Sequence, residues 1–180
     1  MTAVDTGQLV LRLVLAATMG FHGTQKLFGW FDGGGLDRAE AFFRSQGFRP
    51  PRTMALVAGV TETAGAVLLG TGLATPLAVA MIAGTLVNVL ALHAKNGLDS
   101  RKHGCEHELM LLAGVVSVAL IGPGAVSLDH GFGLTYPDWS GVAALGLAVV
   151  AGAAVIGSRE RGVIRNAFPP GAPASPDSRS

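Results

Sequence analysis

Charged residues and cysteine are both scarce in this sequence of 180 residues. Asp, Glu, Lys and Arg make up 14% of the chain, whereas soluble domains average about 25%. So few charges cannot cover the surface of a water-soluble domain, and hydrophobic residues reach 49%. The single cysteine, Cys105, excludes an internal disulfide, a C-x-x-C redox motif and a zinc site built on several thiolates. The composition therefore predicts an integral membrane protein.

Long apolar segments alternate with short polar ones along residues 1–157, which predicts an all-α fold, a bundle of transmembrane helices. Each apolar segment has about the length that a bilayer requires. The predicted spans are residues 7–28, 52–69, 76–94, 105–121 and 139–156. Residues 36–47 carry apolar side chains on one face and predict an amphipathic helix in the headgroup layer. Residues 158–180 are basic and then rich in Pro and Ser, which is typical of a disordered tail.

The distribution of Lys and Arg predicts the orientation of these spans. The loops after the first and third spans and the tail after the fifth are basic, whereas the other loops and the N-terminus carry no Lys or Arg. The positive-inside rule then places the N-terminus outside and the C-terminus in the cytoplasm. With four spans the basic tail would lie outside, and this conflict favours the fifth span.

Several titratable side chains lie within the predicted spans. A rise of about 1.5 Å per residue places His22, Lys26, His93, Glu106 and Glu108 in one layer on the cytoplasmic side. Glu62 falls near the middle of the bilayer, where a carboxylate is costly unless it is paired or protonated. We predict one polar cavity that opens toward the cytoplasm, with a Lys26–Glu106 ion pair at its mouth. Its candidate lining and ligand residues are His22, Lys26, Glu62, Asn88, His93 and Glu106.

Simpler interpretations of the same residues stay open. Lys26 could extend to the headgroups, Asn88 could bond a neighbouring helix, and Glu108 could lie on a solvated face. His22 and His93 at similar depth also resemble a bis-histidine haem pattern, but two helical histidines alone give little support for haem. No metal site is predicted.

The segment after the fourth span has its own turn chemistry. Gly122-Pro123-Gly124 is expected to end the helix, since proline removes a donor. Ser127 or Asp129 is then expected to cap or fix the loop, with a loss of about 1 kcal/mol for Asp129→Ala.

Taken together, several short motifs resemble the DoxX family of bacterial membrane proteins. They are His22-Gly23-x-x-Lys26-Leu27, Glu62 with Gly65 and Leu69-Gly70, Asn96-Gly97, Gly104-x-Glu106-x-x-Leu109 and Gly122-Pro123-Gly124-x-x-Ser127-Leu128-Asp129. The resemblance runs from about Leu9 to Asp129 and assigns the family's acidic position to Glu106 rather than Glu108. It implies a bundle with a four-helix core, to which the fifth span is an addition. It also implies a redox association, because relatives include the membrane subunit of a thiosulfate:quinone oxidoreductase and members linked to oxidative-stress complexes.

Three functions remain possible at this point. A redox subunit would hold a quinone headgroup near His22, Lys26 and Glu106. A small-solute or proton-coupled transporter would use Glu62 as its titrating group, and a scaffold would dock soluble proteins on the basic loops. The absence of a cysteine pair and of a clear flavin motif argues against autonomous electron transfer. We therefore favour a non-autonomous membrane component of a redox complex in a bacterial plasma membrane. Its expected partners are the bilayer, soluble redox proteins or a second copy, and not nucleic acid; whether it is an enzyme stays open.

Overall fold

The computed structural model describes residues 2–102 and 104–159, and within these ranges it contains helices and loops but no strand. The helices are α1 (Ala3–Phe28), α2 (Gly35–Ser45), α3 (Pro51–Thr71), α4 (Thr75–His93), α5 (Glu106–Ile121), α6 (Leu128–Gly131) and α7 (Ser140–Gly157), with 3-10 turns at Ala94–Asn96 and Ser100–Lys102. The predicted all-α helical bundle is confirmed. The predicted tail falls mostly on residues 160–180, outside the described part of the chain.

The helix ends follow from local sequence signals. Thr2 and Asp5 form a capping box at the start of α1, in which the Thr2 amide donates to the Asp5 carboxylate at 2.6 Å. Proline occupies the first turn of α3 and of α4, where its missing N–H costs no helical bond. Helix α5 ends at Ile121, and Gly122 follows at φ 88°. The helix thus ends where the Gly-Pro-Gly motif predicts.

Helices α1, α3, α4 and α5 form a closed ring, because each contacts the next and α5 returns to α1. Helix α7 packs on the outside of this ring against α4 and α5, and the amphipathic α2 lies across α1 and α3. The core of the bundle consists of buried apolar side chains from α1, α3, α4, α5 and α7, including Leu15, Leu69, Ile82, Val115 and Ala148. A four-helix ring with one added helix is therefore the architecture.

One end of the bundle collects the positive charge. It is formed by the C-terminal ends of α1, α4 and α7 and the N-terminal ends of α3 and α5, and we call it the basic end. The Lys and Arg residues in the described ranges lie here, with Arg12 as the exception. Arg159, just after α7, donates to the carbonyl of Gln46 at 2.8 Å and so connects α7 with the α2–α3 loop.

In the described part of the chain, four helices are long and apolar enough to cross a membrane: α1, α3, α4 with its following turn, and α7. Helix α5 has 16 residues, or about 24 Å of helix, which is shorter than the hydrocarbon core of a bilayer. The five-span topology with the N-terminus outside therefore stays a prediction.

The contact between α5 and α7 depends on a glycine. A Cβ atom at Gly141 would overlap the carbonyl of Ala119, whereas a Cβ at Gly146 on the same helix would meet nothing within 4 Å. We expect Gly141→Ala to lower the free energy of unfolding by about 1–3 kcal/mol, since overpacking forces the backbones apart. Gly146→Ala is the matched control and should leave stability unchanged or slightly higher. Thermal unfolding in detergent measures both, and equal melting temperatures would contradict this packing argument.

Candidate functional site

An ion pair between α1 and α3 lies at the centre of the candidate site. Lys26 Nζ is 2.5 Å from Glu62 Oε2. The Glu62 side chain is 2% exposed and that of Lys26 is 28% exposed, so the carboxylate is enclosed while the lysine is partly accessible. The glutamate that is costly at this depth thus has its partner, as expected for intramembrane charges.

The local sequence brings these two groups together. Side chains lean toward the N-terminus of their helix, so in antiparallel α1 and α3 the Lys26 and Glu62 side chains lean toward each other. Gly23 lets the two helices approach closely at this level, because a Cβ there would lie 2.7 Å from the Thr63 backbone nitrogen. The glycine in the His22-Gly23-x-x-Lys26 motif therefore makes room for the pair that the lysine forms.

The ion pair borders a cavity of about 390 Å³ between α3, α4 and α7. The wall is mostly apolar, and Phe42, Phe43 and Phe48 from α2 and its following loop cover it at the basic end. The lining groups able to form hydrogen bonds are Lys26, Thr61, Glu62, Thr85 and Asn88. The arrangement suits an amphipathic molecule whose polar part meets the ion pair and whose apolar part lies against the helices.

Asn88 contributes a second polar feature to this cavity. Its Nδ2 donates to the Gly84 carbonyl at 2.8 Å, within its own helix. Its Oδ1 is enclosed and has no hydrogen-bond partner in the described ranges. Asn88 therefore lines the cavity and carries an enclosed, unsatisfied acceptor, and its amide bonds its own helix instead of a neighbouring one.

A separate polar cluster lies toward the basic end. His93 Nδ1 is 3.0 Å from Glu108 Oε1, and the rings of His22 and His107 meet edge to face with centroids 6.1 Å apart. Lys26, His107 and Glu108 are all within electrostatic range of His22. The cluster connects α1, α4 and α5. Within the described ranges, no three His, Cys, Asp or Glu side chains are placed to hold a metal ion.

The structure distributes the predicted site residues differently from the sequence interpretation. Lys26, Glu62 and Asn88 line one cavity, but its wall is mostly apolar, and His22, His93 and Glu106 are not among its lining residues. The sequence predicts Glu106 as the partner of Lys26, whereas in the structure the amine binds Glu62. Glu106 is exposed at the start of α5 and Glu108 is buried, the reverse of the expected order. Glu106 and Glu108 are two residues apart and therefore point to opposite sides of α5. Their depth in the bundle does not decide which of these sides faces inward.

The opposite end of the bundle is held by two buried charged residues, Arg12 and Asp129. Arg12 is 1% exposed and donates to the carbonyls of Leu69 at 3.0 Å, Gly70 at 3.1 Å, Val126 at 3.1 Å and Pro123. One side chain thus ties α1 to the α3–α4 turn and to the α5–α6 loop. Its sequence signal was an arginine inside an apolar span, but no carbonyl partner can be read from sequence.

Asp129 fixes the same region from the other side. Its carboxylate accepts from the Ala74 N–H at 2.8 Å, the Thr75 N–H at 3.0 Å, the Thr75 hydroxyl at 2.6 Å and the Tyr136 hydroxyl at 3.1 Å. Asp129 thereby caps the N-terminus of α4 from a distant segment, while Ser127 caps the short α6 by accepting from the His130 N–H. Burial by itself would raise the pKa of Asp129, but these hydrogen bonds outweigh it and hold the pKa below its ordinary value.

Comparison with known proteins agrees with this architecture. The DoxX family model matches residues 7–94, from the second turn of α1 to the end of α4, and this range holds both members of the Lys26–Glu62 pair. No curated protein and no solved structure matches the chain. The match and the apolar helical bundle together show a membrane protein whose residues 7–94 belong to the DoxX family.

Proposed function

We propose that this protein binds a membrane quinone in the cavity between α3, α4 and α7, as a non-autonomous membrane component of a redox complex. The observation that carries the proposal is the cavity itself, an apolar space that borders the enclosed Lys26–Glu62 pair. Small-molecule sites commonly have volumes of about 300–1,000 Å³, and about 390 Å³ falls within that range.

The chemistry of a quinone matches the two parts of this site. Its ring carbonyls accept hydrogen bonds, and the Lys26 ammonium has three donors of which Glu62 takes one. Asn88 also lines the cavity, and its unsatisfied Oδ1 would accept from a hydroxyl of the reduced quinol once the side chain turns that oxygen toward the cavity. The isoprenoid tail would run along the apolar walls toward the lipid.

The apolar lining and the enclosed ion pair favour quinone binding over the other two functions, transport of a small solute and a purely scaffolding role. A small polar solute gains little from walls formed by Val57, Leu77, Met81 and Leu147, so this cavity does not favour transport of such a solute. A pure scaffold needs no enclosed ion pair beside a cavity, because burying two charges is costly. Electrons would come from a partner protein at the basic end, which we place in the cytoplasm of a bacterium, with the N-terminus outside its plasma membrane.

Equilibrium binding of a tritiated short-chain quinone to the purified protein in lipid nanodiscs tests the proposal. Ala58 lines the cavity, and Ala58→Phe should fill it and weaken binding at least about tenfold, the equivalent of roughly 1.4 kcal/mol. Ala153→Phe adds the same bulk on the exposed face of α7, outside the cavity lining, and should bind like the unmodified protein. Absence of saturable binding by the unmodified protein would refute the proposal, as would equal affinities for the two variants.

A further inference from the structure

The polar cluster of His22, His93, His107 and Glu108 has no role in holding the ligand described above. Its members come from α1, α4 and α5, and it adjoins the ion pair through His22, which lies one helical turn from Lys26. His93 is the last residue of α4, and side-chain exposure falls from 31% at His93 to 12% at Glu108 and 2% at Glu62. The series therefore leads from water to the enclosed carboxylate.

Glu108 is incompletely satisfied for a buried carboxyl group. Oε1 is 3.0 Å from His93 Nδ1, but the enclosed Oε2 has no hydrogen-bond partner in the part of the chain that the structure describes. Buried polar atoms without partners are uncommon in folded proteins and call for an explanation. A group that alternately receives and passes on a proton needs such a free oxygen, on which the proton can enter or leave.

We propose that His93, Glu108 and His22 form a proton path from water at the basic end to the Lys26–Glu62 pair. His93 exchanges protons with water through its partly exposed ring and passes them to Glu108 Oε1. Glu108 Oε2 passes them through one water to His22, which lies within electrostatic range of Glu108 and one helical turn from Lys26. The titratable groups that face this path are His22 and Lys26 on α1, Glu62 on α3, His93 on α4, and His107 and Glu108 on α5.

The path would supply the protons that quinone reduction requires, and this role of the path rests on the proposed function. Reduction of the quinone consumes two electrons and two protons and yields one quinol. The electrons would come from a partner reductase of the flavin or haem class, and the protons would come along the path. Positioned acids and bases accelerate proton transfer by factors of about 10² or more, so the path would keep protonation from limiting turnover.

Time-resolved infrared spectroscopy after a rapid drop in pH tests the path without any quinone. The carboxylic-acid band of Glu62 is identified by its loss in Glu62→Gln. In Glu108→Gln and in His93→Ala we expect this band to develop at least about tenfold more slowly than in the unmodified protein. Added imidazole should restore the rate in His93→Ala, because it replaces the missing proton carrier. His130→Ala, which removes an exposed histidine at the opposite end, should protonate Glu62 at the original rate.

Three results would overturn the proton path. Equal rates in Glu108→Gln and the unmodified protein would overturn the proposal, as would a slow His93→Ala that imidazole does not restore. A Glu62 that shows no protonation at any pH where the protein stays folded would also overturn it, since the path would have no end point. Failure of the proposed quinone function gives a different result: the protein binds no quinone, but the rate of Glu62 protonation still depends on Glu108.

Discussion

Asp129→Ala should lower the free energy of unfolding by about 3 kcal/mol or more, well above the loss of an ordinary helix cap. Four donors lose their acceptor at once, and each buried donor left without a partner costs about 1–3 kcal/mol. The carboxylate is fully enclosed, and Arg12 lies within electrostatic range of it. Chemical or thermal unfolding in detergent would measure the loss.

Asp138→Ala is the matched control for this substitution, because Asp138 belongs to the same inter-helix segment and is exposed. Its stability should stay within about 0.5 kcal/mol of the unmodified protein. Similar losses for the two variants would show that Asp129 is not the residue that fixes the α3–α4 turn.

The contribution of Asp129 to the stability of the fold should also decrease at low pH. Its folded pKa lies below the ordinary value of 3.8, because the hydrogen bonds from Thr75, Ala74 and Tyr136 outweigh the effect of burial. The stabilisation is therefore complete above that value and is lost as the pH falls through the folded pKa. The difference in melting temperature between the unmodified protein and Asp129→Ala should narrow below pH 3.8. A constant difference down to the acid limit of folding would contradict this titration.

Lys26→Met should destabilise the bundle far more than Glu62→Gln, although both variants break the same ion pair. Removing the lysine leaves the Glu62 carboxylate, which is 2% exposed, as a buried charge without a partner, and such changes cost about 3–5 kcal/mol. Removing the glutamate charge leaves a lysine that is 28% exposed and can extend to the headgroups, so the loss should be about 1 kcal/mol or less.

The double variant Lys26→Met with Glu62→Gln completes the cycle. It should recover most of the stability that Lys26→Met loses, because no charge is then left enclosed. If the stability losses of the two single variants simply add in the double variant, the two side chains do not interact, and Lys26 is not the partner of the buried Glu62 carboxylate.

The sequence by itself determined the membrane character, the helical fold and the helix ends. Scarce charge and long apolar segments leave few alternatives to a helical bundle, since the backbone in lipid must satisfy its own hydrogen bonds. Proline at the start of α3 and α4 and the Gly-Pro-Gly motif after α5 act through local dihedral angles, which require no tertiary information. That Glu62 needs a partner could also be predicted, because the cost of a carboxylate depends on its depth in the bilayer, and depth follows from residue count.

Only the tertiary structure decided which charged groups meet. Helix rotation and neighbour order fix the pairing of Lys26 with Glu62 and the burial of Glu108 instead of Glu106, and neither is encoded in depth. The capping of α4 by Asp129 joins segments separated by 54 residues, and the Arg12 contacts depend on carbonyl directions in two loops. These contacts arise from the packing of whole helices against one another. A linear pattern constrains that packing to a few possibilities, and the sum of many side-chain contacts selects among them.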